Sequence, residues 1–190
     1  MSQNKSIKQR VAVFIDGSNL YHKLKDLNLK NSTYFQYGKL AQFLVRNDIL
    51  VTKRYYIGVV RAKGGDEKAK QLQRNQMKLF NHLGSKQEGF VVERGYLMKS
   101  DGVFHEKGVD VKIAVDLLVG AYEDTYDRVV LISSDTDLIP VIEKVKSLGK
   151  KVEYIGFSHK PSYGLIKSAS ETRLLTKEEI FAFQTPWIQT

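Results

Sequence analysis

The sequence predicts an α/β protein, a three-layer α/β/α sandwich built on a mainly parallel central sheet. Three observations carry that expectation. Runs such as VAVFID (Val11–Asp16) and RVVLIS (Arg128–Ser133) are apolar almost throughout, as strands covered on both faces are. The stretches between them repeat apolar residues at helical spacing. Strands alternating with helices favour parallel pairing, right-handed crossovers and helices on both faces of the sheet.

The elements follow in order. Val11–Asp16 is β-branched and aromatic and stops at Gly17, so it reads as a buried strand. Ser18–Leu29 carries Leu20, Leu24 and Leu27 at helical spacing, and a second helix over Gly38–Asn47 turns Leu40, Phe43 and Leu44 inward. Val51–Val60 is the second strand, with adjacent Tyr55 and Tyr56 placing at least one ring in the core. Asp66–Leu83 is a polar helix with an apolar stripe of Leu72, Met77, Leu79 and Phe80, and Phe90–Glu93 is the third strand. Within Gly95–Glu106, Asp101-Gly102 between two apolar runs signals a hairpin. A helix over Val109–Tyr122 repeats Val111, Ala114, Val115 and Leu118. Arg128–Ser133, Leu138–Leu148 and Lys151–Ile155 then read as strand, helix and strand. Thr176 with Glu179 three residues on is a capping-box pattern, opening a short last helix.

With 190 residues, 42% of them hydrophobic and 27% charged, the chain suits one domain, with a core at about 11–176 and a helical tail at 176–190. At this size roughly 70% of the unfolded surface is buried, so no staples are needed. No cysteine is present, which excludes disulfides, thiolate zinc sites and a cysteine nucleophile. The polar, basic start MSQNKSIKQR lacks the apolar stretch of a secretory signal, and a cytoplasmic location is expected. The net charge of +9 favours a polyanionic partner.

In open parallel sheets the working site lies beyond the carboxyl ends of the strands, where strand order reverses. Acids collect at that rim from distant parts of the chain. Asp16 ends the first strand and is followed by Gly17-Ser18-Asn19. Ser133-Ser134-Asp135-Thr136-Asp137 ends the strand at Arg128, and Asp110 opens the helix after Lys107-Gly108. Each acid also has a structural role open to it. Asp16 fits a helix cap, and Asp110 fits a first turn, where negative charge is favoured by about 0.3–1 kcal/mol. Pro140 is tolerated only within a first turn, which puts a cap no earlier than Asp137 and suits Asp137 for that post.

Together the acids would repel one another unless a cation or protons intervened. Oxygen ligands without His or Cys suit Mg²⁺ or Mn²⁺, and the four histidines are scattered without ligand spacing. Such a cluster suits phosphodiester hydrolysis, with Asn19 placed to hold a water or phosphate oxygen and Ser134 to fix an aspartate. The chain has no GxxxxGK[ST] loop, no GxGxxG after the first strand and no GxSxG elbow, which argues against P-loop, dinucleotide-binding and α/β-hydrolase readings.

The segments VFIDGSNL (Val13–Leu20), KGVDVKIAVDLL (Lys107–Leu118) and LISSDTDLIPVIEKVKSLGKKVEYIG (Leu131–Gly156) resemble the signature blocks of the NYN domain, a branch of the PIN-like nuclease superfamily, and within it the LabA-like members. The resemblance runs from about Val11 to Thr176. It implies a PIN-like fold, a Mg²⁺- or Mn²⁺-dependent ribonuclease and single-stranded RNA as substrate. Carried over by position, Asp16, Asp110 and Asp135 match acidic metal-binding positions, Asp137 the second acid of the SxDxD block, and Asn19 the first-block asparagine. Asp116 also matches, but six residues after Asp110 it is rotated off that helix face, which suits a salt bridge with Lys112. Many PIN relatives carry an acid within the helix before the third strand, whereas here only Asp66 and Glu67 stand at its start.

Basic residues gather at Lys53-Arg54, Arg61-Ala62-Lys63, Lys68, Lys70, Arg74 and Lys78. Residues 68–78 also fit the wet face of an amphipathic helix. Arg61, Lys63 and Lys107, next to strand ends or the acidic helix, are the expected RNA contacts, with exposed tyrosines available for base stacking. Two other functions stay open: a nucleic-acid-binding regulator with a non-catalytic acidic site, and a Mg²⁺-dependent phosphatase or nucleotide hydrolase. Assembly into homodimers is left undecided.

Overall fold

A computed structural model describes residues 7–29, 35–60, 67–100 and 103–184. Among them, seven strands form one sheet: β1 (Arg10–Asp16), β2 (Ile49–Val59), β3 (Val91–Ser100), β4 (Val103–Lys107), β5 (Arg128–Ile132), β6 (Lys151–Phe157) and β7 (Glu171–Leu175). Their order is β4-β3-β2-β1-β5-β6-β7, parallel except for β4, which returns antiparallel along β3. The expected three-layer sandwich is present. Helices α1 (Gly17–Asp26), α2 (Tyr37–Val45) and α3 (Glu67–Leu83) cover one face, while α4 (Val109–Tyr122), α5 (Ile139–Ser147) and α6 (Tyr163–Ser168) cover the other.

β1 shows why its sequence lacks alternation. Val11, Val13 and Ile15 enter the core under α1 and α2, Ala12 and Phe14 the core under α4 and α5, and all are buried. Each such Val or Ile contributes about 1.5–3 kcal/mol relative to exposure. β2 is likewise sandwiched. Tyr55 packs edge-on against Tyr37 on one face, and Tyr56 against Phe14 on the other, so both rings are internal.

Several expectations on helix faces are corrected. Val111 and Val115 are exposed, and the buried stripe of α4 is Val109, Ile113, Leu117 and Ala121. This helix is apolar nearly all round, so periodicity cannot choose a face. Gly120 shows which face is favoured: an added Cβ would lie 2.5 Å from the Tyr126 ring, whose hydroxyl donates to the Leu117 carbonyl. Phe43 is 38% exposed, beneath the Arg173 guanidinium at 4.1 Å, and Leu72 and Met77 face outward. The ladder of the expected hairpin is present, while Asp101 and Gly102 lie outside the described residues. α6 and the edge strand β7, which the sequence did not signal, close the sheet; β7 exposes alternate residues and so resembles no buried strand. Thr176 and Glu179 form the expected capping box on α7 (Lys177–Phe181), and Ile180 and Phe183 join the core beside Phe35.

At the amino ends of the strands a buried ion group replaces apolar packing. Arg128 and Glu153, each 1% exposed, pair with one another; Arg46 at the end of α2 reaches Glu153 at 2.6 Å, and Asp48 accepts from Arg128 at 2.8 Å. Among the described residues no helix is long and apolar enough to cross a membrane.

Because an unpaired buried charge costs about 3–5 kcal/mol, Glu153→Ala should lower unfolding free energy by about 3 kcal/mol or more in urea titrations. The double change Arg128→Met with Glu153→Leu should lose markedly less, and a double variant as unstable as the single would refute this account.

Candidate active site at the sheet switch point

The chain winds outward from β1 in one direction through β2 and β3, then returns to place β5 on the other side of β1. The reversal therefore falls between the carboxyl ends of β1 and β5, where Asp16 and Ser133–Asp135 emerge. Strand parity aims them. Phe14 pairs with Leu131 and both point toward α4 and α5, so the next residues on that face are Asp16 and Ser133.

Asp16 is 1% exposed. Its Oδ1 accepts from the Asn19 backbone N–H at 3.0 Å, capping α1, while Oδ2 accepts from Asn19 Nδ2 at 2.6 Å and Ser133 Oγ at 2.9 Å. Ser133 Oγ in turn accepts from the Asp135 N–H at 3.1 Å, and Asp135 Oδ1 accepts from the Asp137 N–H at 2.9 Å. One hydrogen-bonded chain thus links Asn19, Asp16, Ser133, Asp135 and Asp137. Burial pushes the Asp16 carboxyl above its ordinary pKa, opposed by the bonds from Asn19 and Ser133, and the charge of Asp135 adds to the rise.

Gly17 lets α1 start this close to the sheet, since a Cβ there would lie 2.3 Å from the Tyr55 ring and 2.7 Å from the Tyr56 carbonyl. Asp135 caps a 3-10 turn at Thr136–Leu138 that precedes α5. This corrects the expectation for Asp137: Asp135 caps the inserted turn, α5 itself starts from Leu138 without a side-chain cap and keeps Pro140 in its first turn, and Asp137 is exposed.

The other acids are placed differently. Asp110 is exposed in the first turn of α4, which starts on the same rim because β4 brings Lys107 back level with Tyr96 and Val59. Among the described residues no three His, Asp or Glu side chains gather as a ready-made metal site, so Asp110 does not complete a three-acid group. Asp116 accepts from Arg54 at 2.9 Å and from the Tyr56 hydroxyl at 2.9 Å. It is a salt-bridge residue, but its partner is Arg54; Lys112 lies 3.5 Å from Glu93 instead. Burial and the Asp116 charge both raise the Tyr56 hydroxyl pKa.

Ser133 performs the role expected of Ser134, whose hydroxyl bonds to Tyr154. Counting parity along Leu131-Ile132-Ser133 would have found it. Of the basic residues, Lys107 is exposed on the rim, Arg61 and Lys63 lie outside the described residues, and Lys53 and Arg54 are engaged by Phe90 and by Asp116 with Glu93.

A family model described as the NYN domain matches residues 10–175. The chain belongs to the NYN domain family. No curated protein matches it. A solved structure of a protein of unknown function from Vibrio parahaemolyticus is 23% identical, with a TM-score of 0.61 over 92% of this chain and 96% of that one, a likeness of fold alone. T5 5'-exonuclease with bound zinc is 18% identical, with a TM-score of 0.47 over 83% of this chain and 60% of that one, too slight to bear on function. The NYN match begins at β1 and ends at β7, so it spans both halves of the switch point.

A carboxyl raised by folding opposes folding once ionised, and the penalty fades as pH falls through its raised pKa. In EDTA, the melting temperature of Asp16→Asn relative to the unsubstituted protein should therefore be most favourable near pH 8 and fall toward pH 4. A difference independent of pH would show that Asp16 carries no such penalty.

Proposed function

We propose that this NYN protein is a Mg²⁺- or Mn²⁺-dependent endoribonuclease of single-stranded RNA. The observation that carries the reading is the pairing of Asp16 and Asp135 across the switch point through Ser133. Membership of the NYN family supports a nuclease, and the net charge of +9 suits a polyanionic substrate.

The residues fit a hard divalent ion. Asp16 and Asp135 supply carboxylate oxygens, the exposed Asp137 adjoins them, and a buried acid facing a second acid is a site that a cation would relieve. Mg²⁺ commonly takes one or two carboxylates and keeps several waters, so a three-acid cage is not required. Three of about four acceptor positions on the Asp16 carboxylate are used internally, leaving one for an ion. When bound, the ion supplies positive charge at the scissile phosphate and acidifies water.

The chain's own residues set the geometry. Asn19 spends its amide on Asp16 and is a positioning residue, where the sequence suggested a water or phosphate holder. Ser133 holds Asp16 and the Asp135 backbone in register. Arg54, Asp116, Tyr56 and Glu93 pin α4, and with it Asp110, to β2 and β3. Lys107 stands exposed on the same rim to meet phosphate.

Purified protein should cut single-stranded RNA only with Mg²⁺ or Mn²⁺, and Asp135→Asn or Asp16→Asn should lower the rate on the order of 100-fold or more. Circular dichroism should show both variants folded, and undiminished cleavage in both would sink the mechanism. The lack of a three-acid group among the described residues favours one rival, an RNA-binding regulator. It would bind RNA in a salt-sensitive manner, indifferent to EDTA, and cut nothing.

A further inference from the structure

Beside the acidic pair, on the opposite face of the β1 end, lies an open cleft of about 260 Å³ between α1 and α3. Gly17 and Ser18 form one edge. Tyr21, His22, Tyr55, Ile57 and Leu72 are among the residues that line it. We propose that this cleft takes one unpaired nucleobase of the RNA, next to the phosphate that a divalent ion on Asp16 and Asp135 would hold; the inference rests on the nuclease reading above.

The cleft is small, below the roughly 300–1,000 Å³ of pockets for drug-sized ligands, and so suits a single ring system. It is also mostly apolar. Tyr21 is 48% exposed and its ring meets that of His22 in a T-shaped contact at 5.5 Å; under the proposal Tyr21 stacks on the base and His22 bonds its edge. Leu72 is 39% exposed, which its role in the core does not explain. The sequence placed it on the buried stripe of α3, whereas it lines this opening.

The back wall is rigid. Gln76 accepts from the Val60 N–H at 2.9 Å and donates to the Gly58 carbonyl at 2.6 Å, tying α3 to the end of β2, so its own polar atoms are spent within the protein. Position links the cleft to the acids. Gly17 follows Asp16 directly, about 3.8 Å along the chain, and the two sit on opposite sides of the same strand end. A strand draped over β1 would bring a phosphate to an ion held by the acids and drop a neighbouring base into the cleft. A paired base stacked in a duplex could not enter, which accounts for a single-stranded substrate in terms of shape.

The test uses a 10-nucleotide single-stranded RNA and a set of copies, each lacking the base at one position, with binding measured by fluorescence anisotropy in EDTA so that nothing is cut. One abasic position should weaken binding about 5- to 150-fold, the equivalent of one base–aromatic stack of about 1–3 kcal/mol. Tyr21→Ala should erase that difference, binding intact and abasic strands alike, and Leu72→Trp, which fills the cleft, should do the same. Equal binding of every abasic strand by the unsubstituted protein would overturn the proposal. So would a Tyr21→Ala variant that still distinguishes the abasic strand. Base-dependent binding without cleavage in Mg²⁺ or Mn²⁺ would support the cleft and defeat the nuclease reading, which separates the two failures.

Discussion

The arrangement of the candidate site depends on one buried carboxylate. Asp16 sits almost fully enclosed at the end of the central strand, with a second acid facing it, and only Asn19 and Ser133 offset the loss of water. Burying a charge without a counter-charge is expensive, and a fold tolerates it only where surrounding structure fixes every donor. Here the donors come from the first turn of α1 and from the end of β5. The parallel pairing of β1 with β5 is thus what makes the site, and the site in turn caps α1. Among the described residues Asn19 and Ser133 supply its hydrogen bonds, and under the proposed function a divalent cation would complete its neutralisation.

The remaining ion pairs serve to hold the frame around that point. Arg54, Asp116, Glu93 and Lys112 fasten α4 across β2 and β3. Arg128, Glu153, Arg46 and Asp48 clamp the amino ends of the strands, remote from the acids. Much of the positive charge is therefore committed internally or to aromatic rings, such as Lys53 over Phe90 and Arg94 over Phe80.

The rim divides into two kinds of surface. Acidic oxygens face α4 and α5, and an apolar, aromatic-edged cleft faces α1 and α3, with the end of β1 between them. Alternation of side chains along a strand produces this division without further cost: Asp16 points to one side and Gly17, starting a helix, opens the other.

The sequence alone determined the three-layer architecture, the helices and strands from Val11 to Ile155, the capping box at Thr176 and the acids on one rim. These rest on local chemistry: unbroken apolar runs, helical spacing, turn residues and strand ends. The NYN blocks extended this to the family. Tertiary structure alone decided which face of α4 is buried, because a helix apolar all round has no preferred face until Tyr126 packs on Gly120. It also decided that Arg54 takes Asp116 and that Leu72 lines a cleft. Each of these depends on contacts between elements far apart in the chain, whose relative rotation and register no local pattern encodes.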